Sequence, residues 1–316
     1  MKNVAITDYT FEDLSVEKNI FDKHGIKLSS ERSPSKKELI ELTKNADYII
    51  TQFAKLETDI IDNLLKARII VRYGVGYDNV DIEKAKSKNI PVCNIPDYCV
   101  DEVADHTLAF ILNLTRGITK NHQKVAKGSW GLGIPLCDMK SLNNMNVGII
   151  GYGRIGQAVV DRLIPFKPNI LISDPFCISP IRKSNASLVD ISVLLKNSDI
   201  ISLHCPSTEK TRNIISHPSL SLMKKGVSII NLGRGDLIEM DSLINFIKNK
   251  TINYVALDVF DDEPLAETHP IRHFDNVLLS SHVASASIKA AQRLRQSAAE
   301  LIIKCHNNEK LMNIVN

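Results

Sequence analysis

The stretch NVGIIGYGRIGQAVVDRL, residues 146–163, combines a short apolar run, a G-x-G-x-x-G motif at residues 151–156 and an amphipathic segment. The apolar run predicts a β-strand, and the residues after the last glycine predict an α-helix. Gly151 permits a tight turn, Gly153 lets the backbone approach a pyrophosphate, and Gly156 allows close packing of helix on strand. The stretch therefore predicts a phosphate-binding turn at a helix N-terminus, where free N–H groups favour an anion.

The next predicted strand, NILISD, ends in an acid, Asp174, roughly 20 residues after the last glycine of the turn. A carboxylate there accepts hydrogen bonds from the ribose hydroxyls of an adenosine, and its charge repels a 2′-phosphate. The sequence therefore predicts NAD rather than NADP. Arg182, a little further along the chain, could soften this preference, but we expect the acid to dominate.

Short β-rich runs alternate with helix-compatible stretches along most of the chain, which predicts parallel sheets covered on both faces. A length of 316 residues favours two domains. The runs form two series, 3–7, 26–30, 46–51, 67–74 and 91–95, then 146–151, 169–174, 199–206, 227–234, 252–259 and 276–282.

The stretch between the two series, DEVADHTLAFILNLTRGITKNHQKVAKG, predicts one long helix that begins near residue 101 and ends near Gly128. Its apolar face would carry Ala104, Leu108, Ile111, Leu114 and Ile118.

Composition excludes several classes of protein. A net charge of +3 without a basic block does not suggest a nucleic-acid partner. No apolar run approaches the roughly 20 residues that span a bilayer, and the acidic N-terminal stretch is unlike a signal peptide. The six cysteines form no C-x-x-C pair, so we expect reduced thiols, a cytoplasmic location and no metal site.

Three charged or titratable residues follow successive predicted strands of the second series: Arg234, Glu263 and His282. Ligands of open parallel sheets bind beyond the carboxyl ends of the strands. Hydride transfer to a carbonyl needs a proton donor, and histidine titrates in the right range. A glutamate would orient that histidine, and an arginine would bind a carboxylate through bidentate hydrogen bonds. Each residue alone has an ordinary structural explanation, but all three together favour catalysis.

Six separated stretches resemble the D-isomer-specific 2-hydroxyacid dehydrogenases, over nearly the full length of the chain. They are YGVGYDNVD (73–81), GIIGYGRIG (148–156), SLHCP (202–206), NLGRGDLI (231–238), ALDVFDDEPL (256–265) and SSHVA (280–284). The resemblance implies two Rossmann-like, doubly wound parallel-sheet domains with a cleft between them. Residues 1–98 and 287–316 would form a flavodoxin-like substrate-binding domain. Residues 99–286 would form the NAD-binding domain, including a helix that serves as a dimerisation arm.

The resemblance also implies roles for individual residues. Arg234, Glu263 and His282 would be the family's catalytic arginine, glutamate and histidine, and the backbone of Val75 and Gly76 would bind the substrate carboxylate. The remaining implied residues all contact the cofactor: Arg154 and Ile155 at the pyrophosphate, Asp174 at the ribose, Pro206 and Thr211 at the adenine, Asp258 at the carboxamide, and Leu232.

The chain departs from the family pattern at several positions. Ser281 precedes the histidine where many members have proline, and CNIPDYCVDEVADHT is closer to the C-terminal-binding-protein branch. Thr51 and Gln52 stand where phosphoglycerate dehydrogenases carry an arginine–serine pair for the phosphate. We also expect no appended regulatory domain after residue 316, which would further weaken a phosphoglycerate interpretation.

The leading hypothesis is therefore a reversible NAD-linked reduction of a small 2-oxo acid to a D-2-hydroxy acid, by a homodimer. An NAD(H)-sensing, corepressor-like interaction protein is an alternative, and phosphoglycerate dehydrogenase is an alternative within the enzyme class. Formate dehydrogenases carry glutamine in place of the glutamate, and phosphite dehydrogenases carry a lysine within the first matching stretch, so both are disfavoured. The size of the substrate pocket, and so the side chain of the substrate, would depend on Gln52, Phe53, Tyr73, Tyr98 and Trp130.

Overall fold

The computed structural model describes residues 1–177, 181, 183 and 185–316. The described residues form two compact units, Met1–Cys99 with Ala286–Asn316, and Val100–Ser285. Each unit contains one sheet whose strand pairs are parallel. The predicted fold class, two parallel-sheet α/β domains, is confirmed.

The strands are β1 (Asn3–Ile6), β2 (Lys27–Ser30), β3 (Tyr48–Thr51), β4 (Ile70–Arg72), β5 (Val92–Cys93), β6 (Asn146–Ile150), β7 (Asn169–Ser173), β8 (Ala186–Leu188), β9 (Ile200–Leu203), β10 (Val227–Asn231), β11 (Ile252–Leu257) and β12 (Val277–Leu279). The α-helices are α1 (Ser15–Asp22), α2 (Lys36–Thr43), α3 (Thr58–Asp62), α4 (Ile82–Ser87), α5 (Val100–Arg116), α6 (Ile118–Ala126), α7 (Arg154–Leu163), α8 (Ile191–Asn197), α9 (His217–Leu222), α10 (Met240–Lys248) and α11 (Ile288–His306).

The first unit has the strand order β2-β1-β3-β4-β5, which is the flavodoxin-like order. Successive residues of a strand face opposite sides of a sheet. Tyr48 and Ile50 accordingly pack into a core with α1 and α11, whereas Ile49 packs into a second core with α2, α3 and α4. Because both faces are covered, its inner strands are continuous apolar runs rather than alternating ones.

The second unit has the strand order β12-β11-β10-β9-β6-β7-β8. After β8 the chain crosses to β9 on the other side of β6, so the order reverses between β6 and β9. In an open α/β sheet, such a reversal opens a crevice at the carboxyl ends of the two strands, where ligands bind. The edge strand β8 was not predicted from the sequence, because it is short and its side chains are half-buried or exposed.

The predicted single helix from residue 101 to Gly128 is wrong, because the chain breaks into α5 and α6 at Gly117. Gly117 adopts a left-handed conformation, with a φ of 61°. The side-chain oxygen of Asn113 accepts a hydrogen bond from the N–H of Thr119 at 2.9 Å, and it thereby caps the start of α6. Ile118 is 58% exposed, so it does not lie on the buried face to which the sequence assigned it.

Candidate active site

The glycine turn follows β6, and its three glycines meet different surroundings. Gly151 has a φ of 94°, and a Cβ added there would lie 2.6 Å from the backbone nitrogen of Cys205. A Cβ on Gly156 would lie 2.2 Å from the carbonyl oxygen of Gly151. A Cβ on Gly153 would meet no atom within 4 Å. Gly151 and Gly156 are therefore required by the turn itself, whereas Gly153 leaves open space above the backbone.

Helix α7 begins at Arg154 and Ile155, and its N-cap, Gly153, provides no side-chain hydrogen bond. The N–H groups of the first helical turn therefore remain available to an anion, and the helix dipole favours negative charge there. An exposed, uncapped helix N-terminus beside open space fits the pyrophosphate of a dinucleotide.

Asp174 lies directly beside this turn, at the end of β7. One of its carboxylate oxygens accepts a hydrogen bond from the N–H of Tyr152 at 2.7 Å, and the other from the N–H of Phe176 at 2.8 Å. Each carboxylate oxygen has a further lone pair, so both can still accept from ribose hydroxyls. Arg182, which could have softened the preference for NAD, lies outside the described residues.

Pro206 and Thr211 are brought together after β9. The Thr211 hydroxyl donates to the carbonyl oxygen of Pro206 at 2.6 Å and accepts from the N–H of Thr208 at 2.8 Å. These bonds fix a short exposed loop at the same edge of the sheet as the glycine turn, because the carboxyl ends of parallel strands share one edge.

The loop that follows β10 carries Arg234, three residues beyond the end of the strand. The side chain of Asn231 donates to the carbonyl oxygen of Arg234 at 2.7 Å and accepts from the N–H of Gly233 at 3.0 Å. A Cβ on Gly235 would lie 2.0 Å from the backbone of Phe260, so this loop packs directly against the loop after β11. Leu232 is buried beside the same turn. The role of Asn231 was missed, although an asparagine ending a buried strand was a visible signal.

Glu263 and His282 meet across the loops that follow β11 and β12. The ring nitrogen Nδ1 of His282 lies 2.6 Å from one carboxylate oxygen of Glu263, and the other oxygen accepts from the N–H of Phe260 at 3.0 Å. Burial alone would raise the pKa of Glu263. The hydrogen bonds from His282 and Phe260, with the nearby charges of His282 and Arg234, outweigh burial and hold that pKa below its usual value.

An ionised Glu263 accepts a hydrogen bond from Nδ1 of His282, so the hydrogen stays on that nitrogen. Nε2 is then the ring nitrogen that the contact with Glu263 leaves available to another partner. Within the second unit, Glu263 thus contacts His282 directly, and the charge of Arg234 is near enough to lower the pKa of Glu263. The N–H of His282 also donates to the carbonyl oxygen of Asp258 at 2.7 Å.

The carboxylate of Asp258 accepts three hydrogen bonds from the segment around the histidine. Its donors are the hydroxyl of Ser280 and the N–H groups of Val283 and Ala284. Sequence motifs indicated a cofactor contact for this aspartate, but they did not reveal its bonds to this segment.

Val75 and Gly76 belong to the first unit, in the loop after β4. The amide of Asn94 donates to the carbonyl oxygen of Val75 at 2.6 Å, and the N–H of Ile95 donates to that of Gly74 at 2.9 Å. These bonds turn the loop's carbonyls toward the protein. Tyr73, which the sequence offered as a pocket residue, is instead fully buried in the core of this unit.

Residues 108–284 match the family described as D-isomer specific 2-hydroxyacid dehydrogenase, NAD binding domain. The chain is 33% identical to a glyoxylate reductase of Thermofilum pendens, over 91% of this chain and 86% of that protein. The chain belongs to the D-isomer-specific 2-hydroxyacid dehydrogenase family. As a member of this family it is an oxidoreductase that uses NAD and acts on CH–OH donors.

Two further comparisons place this dehydrogenase within the family. It is 37% identical to a D-3-phosphoglycerate dehydrogenase of Methanocaldococcus jannaschii, over 89% of its own length but only 54% of that protein. The solved D-lactate dehydrogenase of Aquifex aeolicus, complexed with NAD and lactic acid, superposes with a TM-score of 0.89. That structure is 28% identical, and the match covers 97% of this chain and 96% of that one.

None of the helices in the described part of the chain is both long and apolar enough to cross a membrane. No group of three or more histidine, cysteine, aspartate or glutamate side chains within it is arranged to hold a metal ion.

Proposed function

We propose that this dehydrogenase reduces a small 2-oxo acid to the D-2-hydroxy acid with NADH, and that the reaction is reversible. The observation that carries the proposal is the 2.6 Å contact between His282 and Glu263 at the edge of the sheet that also bears the glycine turn. A histidine held by an ionised carboxylate is suited to give a proton to a developing alkoxide.

In the proposed reaction, NADH supplies the hydride that reaches the carbonyl carbon. His282 donates the proton from Nε2 to the carbonyl oxygen, and it takes that proton back in the reverse direction. Glu263 orients the ring and stabilises its charged form. Arg234 binds the substrate carboxylate and polarises the adjacent carbonyl, because a guanidinium offers two parallel N–H donors.

The proposed cofactor contacts follow the geometry of the second unit. Gly151, Gly153 and Gly156 form the turn, Arg154 and Ile155 begin the helix over the pyrophosphate, and Asp174 binds the ribose. We assign Pro206 and Thr211 to the adenine end of the dinucleotide. We assign Leu232 and Asp258 to its nicotinamide end.

We assign the substrate-binding role to the first unit, residues 1–98 and 287–316, and the cofactor-binding role to residues 99–286. Within the first unit, the N–H groups of Val75 and Gly76 would bind the substrate carboxylate. The hydrogen bond from the Asn94 amide to the carbonyl oxygen of Val75 supports this, because it directs that carbonyl toward the protein and away from the substrate carboxylate.

The relative from Methanocaldococcus jannaschii favours 3-phosphoglycerate as a second candidate substrate. Against it stands the carboxylate of Asp8, which accepts from the N–H of Gln52 at 3.0 Å and that of Phe53 at 2.6 Å. The Thr51 hydroxyl lies 3.5 Å from the same carboxylate. A negative charge already bound by this segment disfavours a phosphate there. We therefore favour a small unphosphorylated substrate.

We further propose that the enzyme is a cytoplasmic homodimer. Large apolar side chains are exposed on and after α6, and a second copy of the chain would cover them. They are Ile118, Val125, Trp130, Leu132 and Leu136. The cytoplasmic location is proposed from the cysteine usage, since all six cysteines are free thiols.

A panel of 2-oxo acids tests the substrate class, with NADH oxidation followed by absorbance. Glyoxylate, hydroxypyruvate, pyruvate, a branched 2-oxo acid and 3-phosphohydroxypyruvate should be compared at equal concentration. We expect turnover with an unphosphorylated acid to exceed that with the phosphorylated one. Preference for 3-phosphohydroxypyruvate would select the second candidate, and NADH binding without any turnover would favour a sensor role.

A further inference from the structure

The backbone at His282 has a left-handed conformation, with a φ of 54°. For a residue with a Cβ this conformation is unfavourable by roughly 1–2 kcal/mol, and it persists only where surrounding contacts enforce it. The hydrogen bond from the His282 ring to Glu263 acts on the side chain and leaves the backbone unconstrained. Other contacts must therefore hold the segment around the histidine in place.

Asp258 provides the contacts that hold the backbone. Its carbonyl oxygen accepts from the N–H of His282 at 2.7 Å. Its carboxylate accepts from the next two N–H groups, those of Val283 at 3.0 Å and Ala284 at 2.9 Å. One side chain and its own peptide group thus bind three consecutive residues, beginning with the histidine.

Ser280 binds the other end of the same segment to this aspartate. Its hydroxyl donates to the carboxylate of Asp258 at 2.5 Å, and its N–H donates to the carbonyl oxygen of Leu257 at 2.9 Å. Asp258 is only 1% exposed, so its negative charge depends on protein donors rather than on water. Ser280 is the side-chain donor of this set, and His106 lies 3.5 Å from its hydroxyl.

We propose that Ser280 is a positioning residue for proton transfer. Its hydroxyl fixes the carboxylate of Asp258, and this carboxylate in turn fixes the left-handed backbone that directs Nε2 of His282. Ser280 itself contacts no reacting atom. The inference rests on the proposed role of His282 as the proton donor and extends it to the residue that holds the donor in place.

The neighbouring Ser281 provides a matched control, because it has the same side chain on an adjacent, exposed position. The experiment compares Ser280→Ala, Ser280→Thr and Ser281→Ala. We expect Ser280→Ala to lower kcat by roughly 10- to 100-fold, as expected for a misplaced catalytic group. We expect a larger solvent isotope effect on kcat, and a change in NADH affinity that is smaller than the change in kcat. Ser280→Thr, which keeps the hydroxyl, should recover most of the loss, and Ser281→Ala should resemble wild type.

Equal kcat values for Ser280→Ala and Ser281→Ala would overturn the inference. So would a loss in Ser280→Ala that appears wholly as weaker NADH binding, with no change in the isotope effect. A wild-type enzyme that turns over no 2-oxo acid would contradict the proposed function instead.

A second measurement does not need turnover. In protein labelled with ¹³C-histidine, the ring signal of His282 is assigned by its disappearance in His282→Ala. We expect Ser280→Ala to move that signal and Ser281→Ala to leave it in place. A His282 signal that is unchanged in Ser280→Ala would refute the positioning role whether or not the enzyme is active.

Discussion

At the scale of single residues, the second unit gathers its charged groups on loops that follow adjacent strands. Arg234 follows β10, Glu263 follows β11 and His282 follows β12, and these strands are neighbours in the sheet. The sequence predicted this trio because each residue comes within a few positions of the end of an apolar run. It did not predict the roles of Asn231 and Ser280, because their contacts depend on loop conformations that no periodic pattern encodes.

Replacing Glu263 by glutamine tests the electrostatic part of the site. The glutamate has a pKa below its usual value in the folded protein, so its ionised form stabilises the fold. This contribution is fully present above the pKa of the unfolded chain and is lost as the pH falls through the folded pKa. We therefore expect Glu263→Gln to lower the free energy of unfolding near pH 7, and the difference from wild type to shrink on acidification.

Urea unfolding of both proteins at several pH values measures that difference. A gap that widens as the pH falls would contradict the lowered pKa. The same variant should also lose activity, because a neutral amide does not stabilise the charged histidine. Glu263→Asp keeps the charge on a shorter side chain. It therefore separates the effect of the charge from that of the hydrogen-bonding distance to His282.

At the scale of secondary structure, the strands were predictable where tertiary burial leaves a continuous apolar run. The break between α5 and α6 was not predictable in this way. A glycine inside a helical pattern is compatible with a continuous helix. Here the helix breaks because Asn113 caps the start of α6 and because the side chain of Ile134 packs so close to Gly117 that a Cβ there would lie 2.7 Å from it. Such contacts join residues that the local sequence does not relate.

The glycine turn allows a structural role to be separated from a cofactor role. Alanine at Gly156 would place its methyl 2.2 Å from a carbonyl oxygen, so we expect a loss of roughly 1–3 kcal/mol of stability. Alanine at Gly153 meets open space and a φ of −72°, so we expect stability to change by less than about 1 kcal/mol. NADH affinity should nevertheless fall, because the methyl would occupy the path of the pyrophosphate.

Chemical denaturation and NADH fluorescence titration of Gly153→Ala and Gly156→Ala measure the two effects. Unchanged NADH affinity in a stable Gly153→Ala variant would show that the pyrophosphate does not pass over this residue. Undiminished stability in Gly156→Ala would contradict the close packing in the turn.

At the scale of the whole molecule, the chain leaves the first unit near Cys99 and returns to it near Ala286. The returning helix α11 is fixed there by Arg295, which contacts the carboxylate of Glu17 at 2.7 Å. Glu17 is completely buried and also accepts from the hydroxyl of Tyr73 at 2.8 Å. The first unit therefore depends on an ion pair between distant parts of the chain. This pairing was not visible in the sequence, because it joins residues from opposite ends.

Removing one partner of a buried pair leaves the other charge uncompensated, which costs roughly 3–5 kcal/mol. We expect a loss of that order for Arg295→Met. Lys36→Met is the control, because Lys36 forms exposed ion pairs with Glu57 and Asp59, and solvent screens pairs of that kind so that they contribute little to stability. Equal losses of unfolding free energy in the two variants would show that the buried pair does not hold α11 in place.

The most direct test of the proposed proton transfer is a single-turnover reduction of the best 2-oxo acid by NADH-loaded enzyme. Wild type and His282→Ala should bind NADH with similar affinity, because the contact proposed for the histidine is with the substrate and not with the cofactor's phosphates. We predict that the reduction rate falls roughly 10²- to 10⁴-fold in His282→Ala, as expected for loss of a general acid. A variant that reduces the acid at the wild-type rate would contradict the assignment of His282 as the proton donor.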